Sequence, residues 1–280
     1  MTTLVYGAHE AKAYFIEETN YGETPSGPGQ PAMVAVGIVQ EIEPTLDPSL
    51  VKIRGIGSRD LQCIRRGLRH ADLKVTYAPQ NINFLQHVTT LTSLSVEVFY
   101  EKPSGVISLN HKGCRINRLT VEASAEEILK VTAELIGQNI VVGTAKIGAS
   151  YGDYSDAPLV WYDTYVKKGV DTLGKVSDYR FTIGNNLRRI PVIRTTEGHL
   201  LKYLCERQRE LSGEIVCDFE TKEELDEIIN DTEFALEFGL GGTHKAVFGN
   251  CKWSTSNLST RIEELVSQKL SFIAKNVTVS

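Results

Sequence analysis

Apolar residues alternate with polar ones along several short stretches of this chain. In LKVTYAP, Leu73, Val75 and Tyr77 share one face, and in GEIVCDF, Ile215, Cys217 and Phe219 do the same. LSVEVFY groups Leu94, Val96 and Val98 with Glu97 opposite, and FALEFGL groups Phe234, Leu236 and Phe238 with Glu237 opposite. A period of two predicts half-buried β-strands. Helical spacing is rarer. It shows in NINFLQHV, in TKEELDEI and in HLLKYLCERQREL, which spans His199 to Leu211. Asn81 and Thr221 stand at N-cap positions, and Thr221 with Glu224 makes a capping-box pattern. The third stretch predicts a further helix from Leu200, Leu201, Leu204 and Leu211.

These elements recur in a fixed order. An offset of 140 residues lays LVKIRG on IPVIRT, LKVTYAP on GEIVCDF, NINFLQHV on TKEELDEI and LSVEVFY on FALEFGL. An offset of 137, after one shorter hairpin, lays Cys114 on Cys251 and Glu126–Ile140 on Glu263–Val277. Identities are few, but the strand register is kept, and a one-residue slip would turn every apolar set to the wrong face. The pattern predicts an internal duplication of a unit of about 105 residues.

Outside the units the chain is irregular. Residues 20–32, NYGETPSGPGQPA, carry too many breakers for a strand or helix. The plan expected is an N-terminal arm over 1–32, a first unit over 33–142, a connector over 143–175 and a second unit over 176–280. The fold class expected is α+β, mostly β, with tandem sandwich or barrel-like units that each carry one or two short helices.

Composition narrows the functions. The chain has 280 residues, 41% hydrophobic and 23% charged, enough to bury a core without disulfides. Its net charge of -5 argues against tight binding of nucleic-acid phosphates, which needs a basic surface. No leader-like basic and apolar sequence opens the chain, and no apolar run is long enough to span a membrane. Five cysteines without a CxxC pair read as reduced thiols.

Catalytic signatures are weak. Gly148-Ala-Ser150-Tyr-Gly152 matches GxSxG, but DYSDAP follows it instead of a helix, so a small-residue turn is the better reading. Gly55-Ile-Gly57 lacks the third glycine and the βαβ context of a phosphate cradle. The six histidines lack zinc-site spacing. No catalytic, cofactor-binding or metal-binding residue is expected.

The stretches IRGIGSRDLQCIRRGLRH, DLKVTYAPQNINFLQ and CRINRLTVEASAEEILKVTAELIG, with RELSGEIVCDFETKEELDEI in the second half, resemble the tail tube proteins of tailed phages and related archaeal viruses and prophages. The resemblance covers roughly residues 33–279. It implies a structural virion protein whose units join sheets into the wall of a hollow tail. Six units usually form one ring of that wall, so two-unit chains would form it as a trimer. The partners it implies are further copies of the chain, a tape-measure protein in the lumen, a tail terminator, a baseplate or tail tip, and viral DNA in transit. No membrane partner is implied, and assembly would take place in the host cytoplasm. A tail terminator, a baseplate hub and a trimeric sliding-clamp-like ring are the alternatives.

A conduit for DNA is served by an acidic wall. Glu97 and Glu237 are the lumen candidates, being polar-face residues at equivalent positions, with Glu134 as a third. Tyr21 in the arm, with Tyr151, Tyr154, Trp161, Tyr162 and Tyr165 in the connector, are the candidates for contacts between subunits or rings.

Overall fold

The alternating stretches are strands. The computed structural model describes residues 5–27, 29–260 and 265–280. Strand accounts for 53% of the chain and helix for 6%, so apolar sheet faces must be buried mainly against other sheets. The first half contains β1 (Ala11–Glu17), β2 (Met33–Ala35), β3 (Ile38–Asp47), β4 (Val51–Ile53), β5 (Cys63–Arg65) and β6 (His70–Ala78). It continues through α1 (His87–Thr90), β7 (Leu94–Lys102), β8 (Gly105–Ser124), β9 (Lys130–Gly137), β10 (Asn139–Gly143) and β11 (Tyr151–Gly152). The second half contains β12 (Val166–Lys168), β13 (Asp171–Thr172), β14 (Val176–Gly184), β15 (Arg188–Ile190), β16 (Tyr203–Cys205) and β17 (Glu210–Asp218). It ends with α2 (Glu223–Ile229), β18 (Phe234–Gly239), β19 (Lys245–Ser259), β20 (Ser267–Ile273) and β21 (Asn276–Val279).

Both halves pair their strands in one order. In the first, β3 pairs β6, β6 pairs β9, and β9 pairs the later part of β8. The earlier part of β8 belongs to a second layer with β7 and β10, and β7 pairs β1. In the second half, β14, β17, β20 and the later part of β19 repeat the first layer. There β18, β21 and β12 repeat the second layer. The register shifts also recur. They fall at Val39/Glu41, Leu94/Val96 and Ile116/Arg118, and again at Val176/Asp178, Phe234/Leu236 and Trp253/Thr255. Such bulges bend a strand and let β8 and β19 pass from one layer to the other.

One ladder joins the halves. The later part of β8 pairs β14 antiparallel, from Asp178 opposite Ser124 to Gly184 opposite Arg118. The result is one eight-stranded sheet in the order β3-β6-β9-β8-β14-β17-β20-β19. Leu119, Val121, Phe181 and Ile183 are fully buried along the joint, and the core runs through both halves.

Several expectations change. Part of the expected arm belongs to the sheet. Residues 11–17 form β1 beside β7, with Ala13 and Phe15 in the main core and Tyr14 and Ile16 in a second cluster with Met33 and Phe99. AKAYFIE lacks clean alternation because both of its faces are covered. Glu18 fixes the turn after β1. It is buried and accepts hydrogen bonds from Ser93 Oγ and Ser95 Oγ (both 2.6 Å), Gly22 N (2.7 Å) and Gly113 N (2.8 Å).

The helix expected over 199–211 is absent. Residues 203–205 pair with β15, and the chain enters β17 at Glu210. Leu201 and Leu204 still reach an apolar cluster, beside Leu91, Ile136 and Leu187. A short leucine run satisfies both geometries, and backbone pairing decides between them. The helix over TKEELDEI forms as α2, without the capping box: its N-cap is Lys222, and Glu224 is buried 3.6 Å from Lys175 Nζ. The aligned stretch from Glu263 begins outside the described residues.

Two measurements test these assignments. Glu18→Ala leaves four donors without an acceptor and should lower the unfolding free energy by about 2–4 kcal/mol, read by urea denaturation. His111 is buried in β8, and burial pushes its pKa down to about 4. Below an unfolded value of about 6.5, the unfolded chain takes up a proton that the folded chain refuses. Stability should therefore fall as pH drops from about 6.5 towards 4, and this slope should be shallower in His111→Gln.

Candidate assembly surfaces

The eight-stranded sheet has one apolar and one polar face. On β9, Val131, Ala133 and Leu135 enter the core, while Lys130, Thr132 and Glu134 face outwards. The outward residues align in rows across the strands. One row runs Glu43, Lys74, Glu134, Arg118, and another runs Lys130, Glu122, Arg180, Glu214. Between them lie Thr76, Thr132, Thr120 and Thr182, with hydroxyl pairs at 3.3 Å and 3.2 Å. Lys74 Nζ lies 3.0 Å from Glu43, and Arg180 Nε lies 3.1 Å from Glu122. Each row alternates in sign, so the face is neither a phosphate-gripping basic surface nor uniformly acidic.

The lumen candidates do not share this face. Glu134 lies on it and is exposed. Glu97 is 0% exposed, which corrects its reading as a solvent-facing residue. It lies on β7 in the second layer and is covered by the connector. Its carboxylate accepts from Ser108 Oγ (2.6 Å), Tyr151 Oη (2.6 Å), Ile147 N (2.9 Å) and, at 3.4 Å, Gly148 N. Glu237 holds the corresponding place on β18. It accepts from Tyr165 Oη at 2.7 Å and Lys245 Nζ at 3.0 Å. The Tyr165 hydroxyl, ahead of Lys245, holds the Glu237 carboxyl below its usual range. Each second layer thus binds its glutamate to a connector tyrosine. The phenol of Tyr151 is pushed up, first by burial and then by Glu97.

Most aromatic contact candidates are engaged within the chain. Tyr21 lies 5.7 Å from the Arg115 guanidinium, and its hydroxyl is buried. Tyr151 packs edge-on against Tyr14 (4.8 Å) and Phe99 (5.5 Å), and Tyr154 joins the same cluster. Only Trp161 (45% exposed) and Tyr162 (71% exposed) of these six are strongly exposed. The connector tyrosines are covered because the connector is itself a layer on the sheet, while Tyr21 packs against the cluster of Leu91, Ile136 and Leu201. The bonds of Tyr151 to Glu97 and of Tyr165 to Glu237 were not legible because the partners lie far apart in sequence.

The sheet also has two distinct ends. At one end, the connector runs beside the β8–β9 turn, where Leu129 N donates to Leu159 O and Trp161 N to Glu127 O. A groove of about 380 Å³ lies there, lined by Ala123, Trp161, Tyr162, Leu173, Val176 and Tyr179 among others. At the other end, beyond Asp47 and His70, projects the β4–β5 hairpin. The two lateral edges, β3 and the later part of β19, each have one sheet neighbour among the described residues. Leu46 on β3 is 51% exposed and Leu258 on β19 is 47% exposed. Neither edge was singled out by the sequence pattern, since alternation marks a strand but not its neighbours.

Among the described residues, no cluster of three or more His, Cys, Asp or Glu is placed to hold a metal, and no helix is long and apolar enough to cross a membrane. The Ser150 carbonyl accepts from Met33 N, and the short strand β11, not a helix, follows it.

A family model described as phage tail tube protein matches residues 8–274. The chain belongs to the phage tail tube protein family, and it is a structural component of a virion tail. Among solved structures, a chain from the virion of a native gene transfer agent particle is similar at a TM-score of 0.35 and 8% identity, covering 42% of this chain and 96% of that chain. No curated protein matches the chain.

The connector bonds are testable. Tyr151→Phe removes a hydrogen bond to a buried carboxylate and should cost about 1.5–3 kcal/mol. Cleavage between 143 and 165 should accelerate in limited proteolysis. Tyr165→Phe, acting on the more accessible Glu237, should cost less. Equal melting of Tyr151→Phe and the parent protein would contradict the role given to this bond.

Proposed function

We propose that three copies of this chain close into a pseudo-hexameric ring, and that stacked rings form the hollow tail tube through which viral DNA passes. The β8–β14 joint is the observation that carries this reading. It is a strand junction between two units that share a pairing order and three bulge positions. We read the two units as copies of one ancestral unit. A junction of the same kind between the β19 edge of one chain and the β3 edge of the next repeats around an axis and closes. Closure removes both open edges, which would otherwise invite uncontrolled pairing.

The internal joint supplies the register. Matching β19 to β8 and β3 to β14 sets Asn257 opposite Thr45, as Thr120 stands opposite Thr182. It sets Leu258 opposite Pro44 and Ser256 opposite Leu46, and buries the half-exposed leucines. Three eight-stranded sheets at a spacing of ~4.8 Å enclose a barrel roughly 40 Å across at the backbone. That leaves a passage for a DNA duplex after side chains are subtracted. The polar face with its sign-alternating rows, including Glu134, then lines the lumen, and Glu97 and Glu237 lie in the outer layer. A wall without a dominant sign releases few counterions and lets DNA slide. A tape-measure protein would occupy the lumen during assembly in the host cytoplasm. A terminator and a baseplate or tail tip would meet the two ends.

Disulfide trapping tests the register. In a background with Cys63 and Cys205 replaced by serine, Thr45→Cys with Asn257→Cys should give covalent dimers and trimers on oxidation. Glu43→Cys with Asn257→Cys, two residues out of register, should give far fewer. Absence of interchain crosslinks in the first pair would overturn the junction. Electron microscopy should show long hollow tubes with three-fold rings, whereas isolated toroids would point to a terminator or clamp.

A further inference from the structure

The hairpins inserted at equivalent places in the two units differ. In the first unit, the β4–β5 hairpin leaves Ile53, Ile56 and Ile64 exposed. In the second, the segment 188–205 that forms β15 and β16 turns back across the joint onto the first unit. Leu201 and Leu204 are buried there in one cluster with Ile136 of β9 and Leu91. Arg189 pairs with Asp72 of β6. Arg115, opposite Ile136, lies 3.7 Å from Glu206 and donates to Leu204 O at 3.4 Å. Arg69 N donates to His199 O at 2.8 Å. The loop is braced internally, since the Arg194 guanidinium donates to Glu197 O (2.9 and 3.1 Å) and to Leu200 O (3.1 Å).

These contacts fall on a definite side of the sheet. Asp72 stands opposite Ile136, in line with Lys74 opposite Glu134 on the polar face. Ile136 is thus an apolar residue on a polar face, and the leucines of the hairpin cover it. On the other face, Asn185 Nδ2 donates to Val88 O at 2.9 Å, and Arg209 Nη2 donates to Thr89 O at 3.4 Å. Asn185 Oδ1 in turn accepts from Arg209 Nε at 3.1 Å, and Val88 belongs to the main core. Residues of the second unit therefore grip the first unit on both faces of the β8–β14 ladder. A ladder alone fixes register but not angle, because adjacent strands turn by anything from about 10° to 35°. Contacts held away from the strands on both faces remove that freedom.

We propose that the β15–β16 hairpin is a clasp that sets the angle between the two units, and through it the number of chains that close a ring. The proposal rests on the ring reading and adds what fixes the ring's size. Six units close when successive joints turn by about 60° on average. Three of those joints lie inside chains and carry the clasp. The other three, between β19 and β3, form on assembly and take up the remainder. An internal joint free to open or close would let two or four chains meet end to end as well as three. The ion pair adds direction to the apolar contact, because a guanidinium and a carboxylate are planar groups that attract along defined lines. Asp72 and Arg189 act as positioning residues, since neither is among the residues paired across the β19–β3 junction.

Two measurements on the full-length chain test the clasp. Ser104→Cys and Thr243→Cys, exposed sites in the equivalent β7–β8 and β18–β19 hairpins, take spin labels in the background with Cys63 and Cys205 replaced by serine. Pulsed electron paramagnetic resonance then reads the distance between units, below the concentration at which the protein polymerises. Arg189→Asp should broaden the distance distribution at least about twofold. Adding Asp72→Arg to Arg189→Asp should return the width to within about a quarter of the parent's. In electron micrographs of assembled protein, Arg189→Asp should give rings of two or four chains beside the three-chain form. The exchanged pair should give three-chain rings alone. Tyr151→Phe, which loosens the second layer of the first unit, should lower the melting temperature and leave both readouts unchanged. That separates a loss of angle from a loss of stability. An unchanged width in Arg189→Asp would overturn the clasp. Broadened distances with three-chain rings only would overturn its hold on ring size. Failure of the parent to form rings would overturn the ring reading, while the label distances still judge the clasp.

Discussion

The pairing of β8 with β14 is the constraint on which the molecule depends. It sets Val121 opposite Phe181 and Leu119 opposite Ile183, and so merges two cores that would otherwise each end at a frayed edge. Strand pairing admits no half-measures here, since a slip of one residue would send those four side chains to the polar face. The bulges at Ile116/Arg118 and Trp253/Thr255 serve the same end. They let one strand contribute to two layers, so that neither layer needs a separate connection to the other.

Buried polar groups, more than additional apolar area, fix the irregular segments onto this frame. Glu18 ties down the turn after β1, and Glu97 ties down the entry to the connector. A buried carboxylate is stable only with its acceptor sites filled. Each therefore demands one arrangement of the backbone amides and hydroxyls around it. The Gly- and Pro-rich stretch 20–32 and the irregular part of the connector leave amides available for this purpose.

The sequence was most legible where alternation is clean. LKVTYAP and LSVEVFY are β6 and β7, and their counterparts are β17 and β18. TKEELDEI is a helix. It was least legible where a residue's surroundings come from distant parts of the chain. Glu97 reads as solvent-facing within its own strand, and only Tyr151 and the amides of Ile147 and Gly148, some fifty residues on, bury it. AKAYFIE reads as part of an arm because two-sided burial erases the alternation that marks a strand. His199–Leu211 reads as a helix because four leucines at mixed spacing fit either geometry, and the pairing partner Arg188–Ile190 decides.

The two kinds of edge position are built from different residues. Strand β14, covered from the moment the chain folds, can carry Tyr179, Phe181 and Ile183 along its buried face. Strand β3 holds the corresponding place with an open flank, and there Pro44 stands opposite Leu73 with Glu41, Glu43 and Asp47 around it. Proline withholds one amide, and a row of acids repels a second β3 edge brought against it. A newly made chain is thereby kept from joining its like edge to edge. One sheet thus carries the same position twice, once closed within its own chain and lined with large apolar side chains, and once open and guarded by proline and acids.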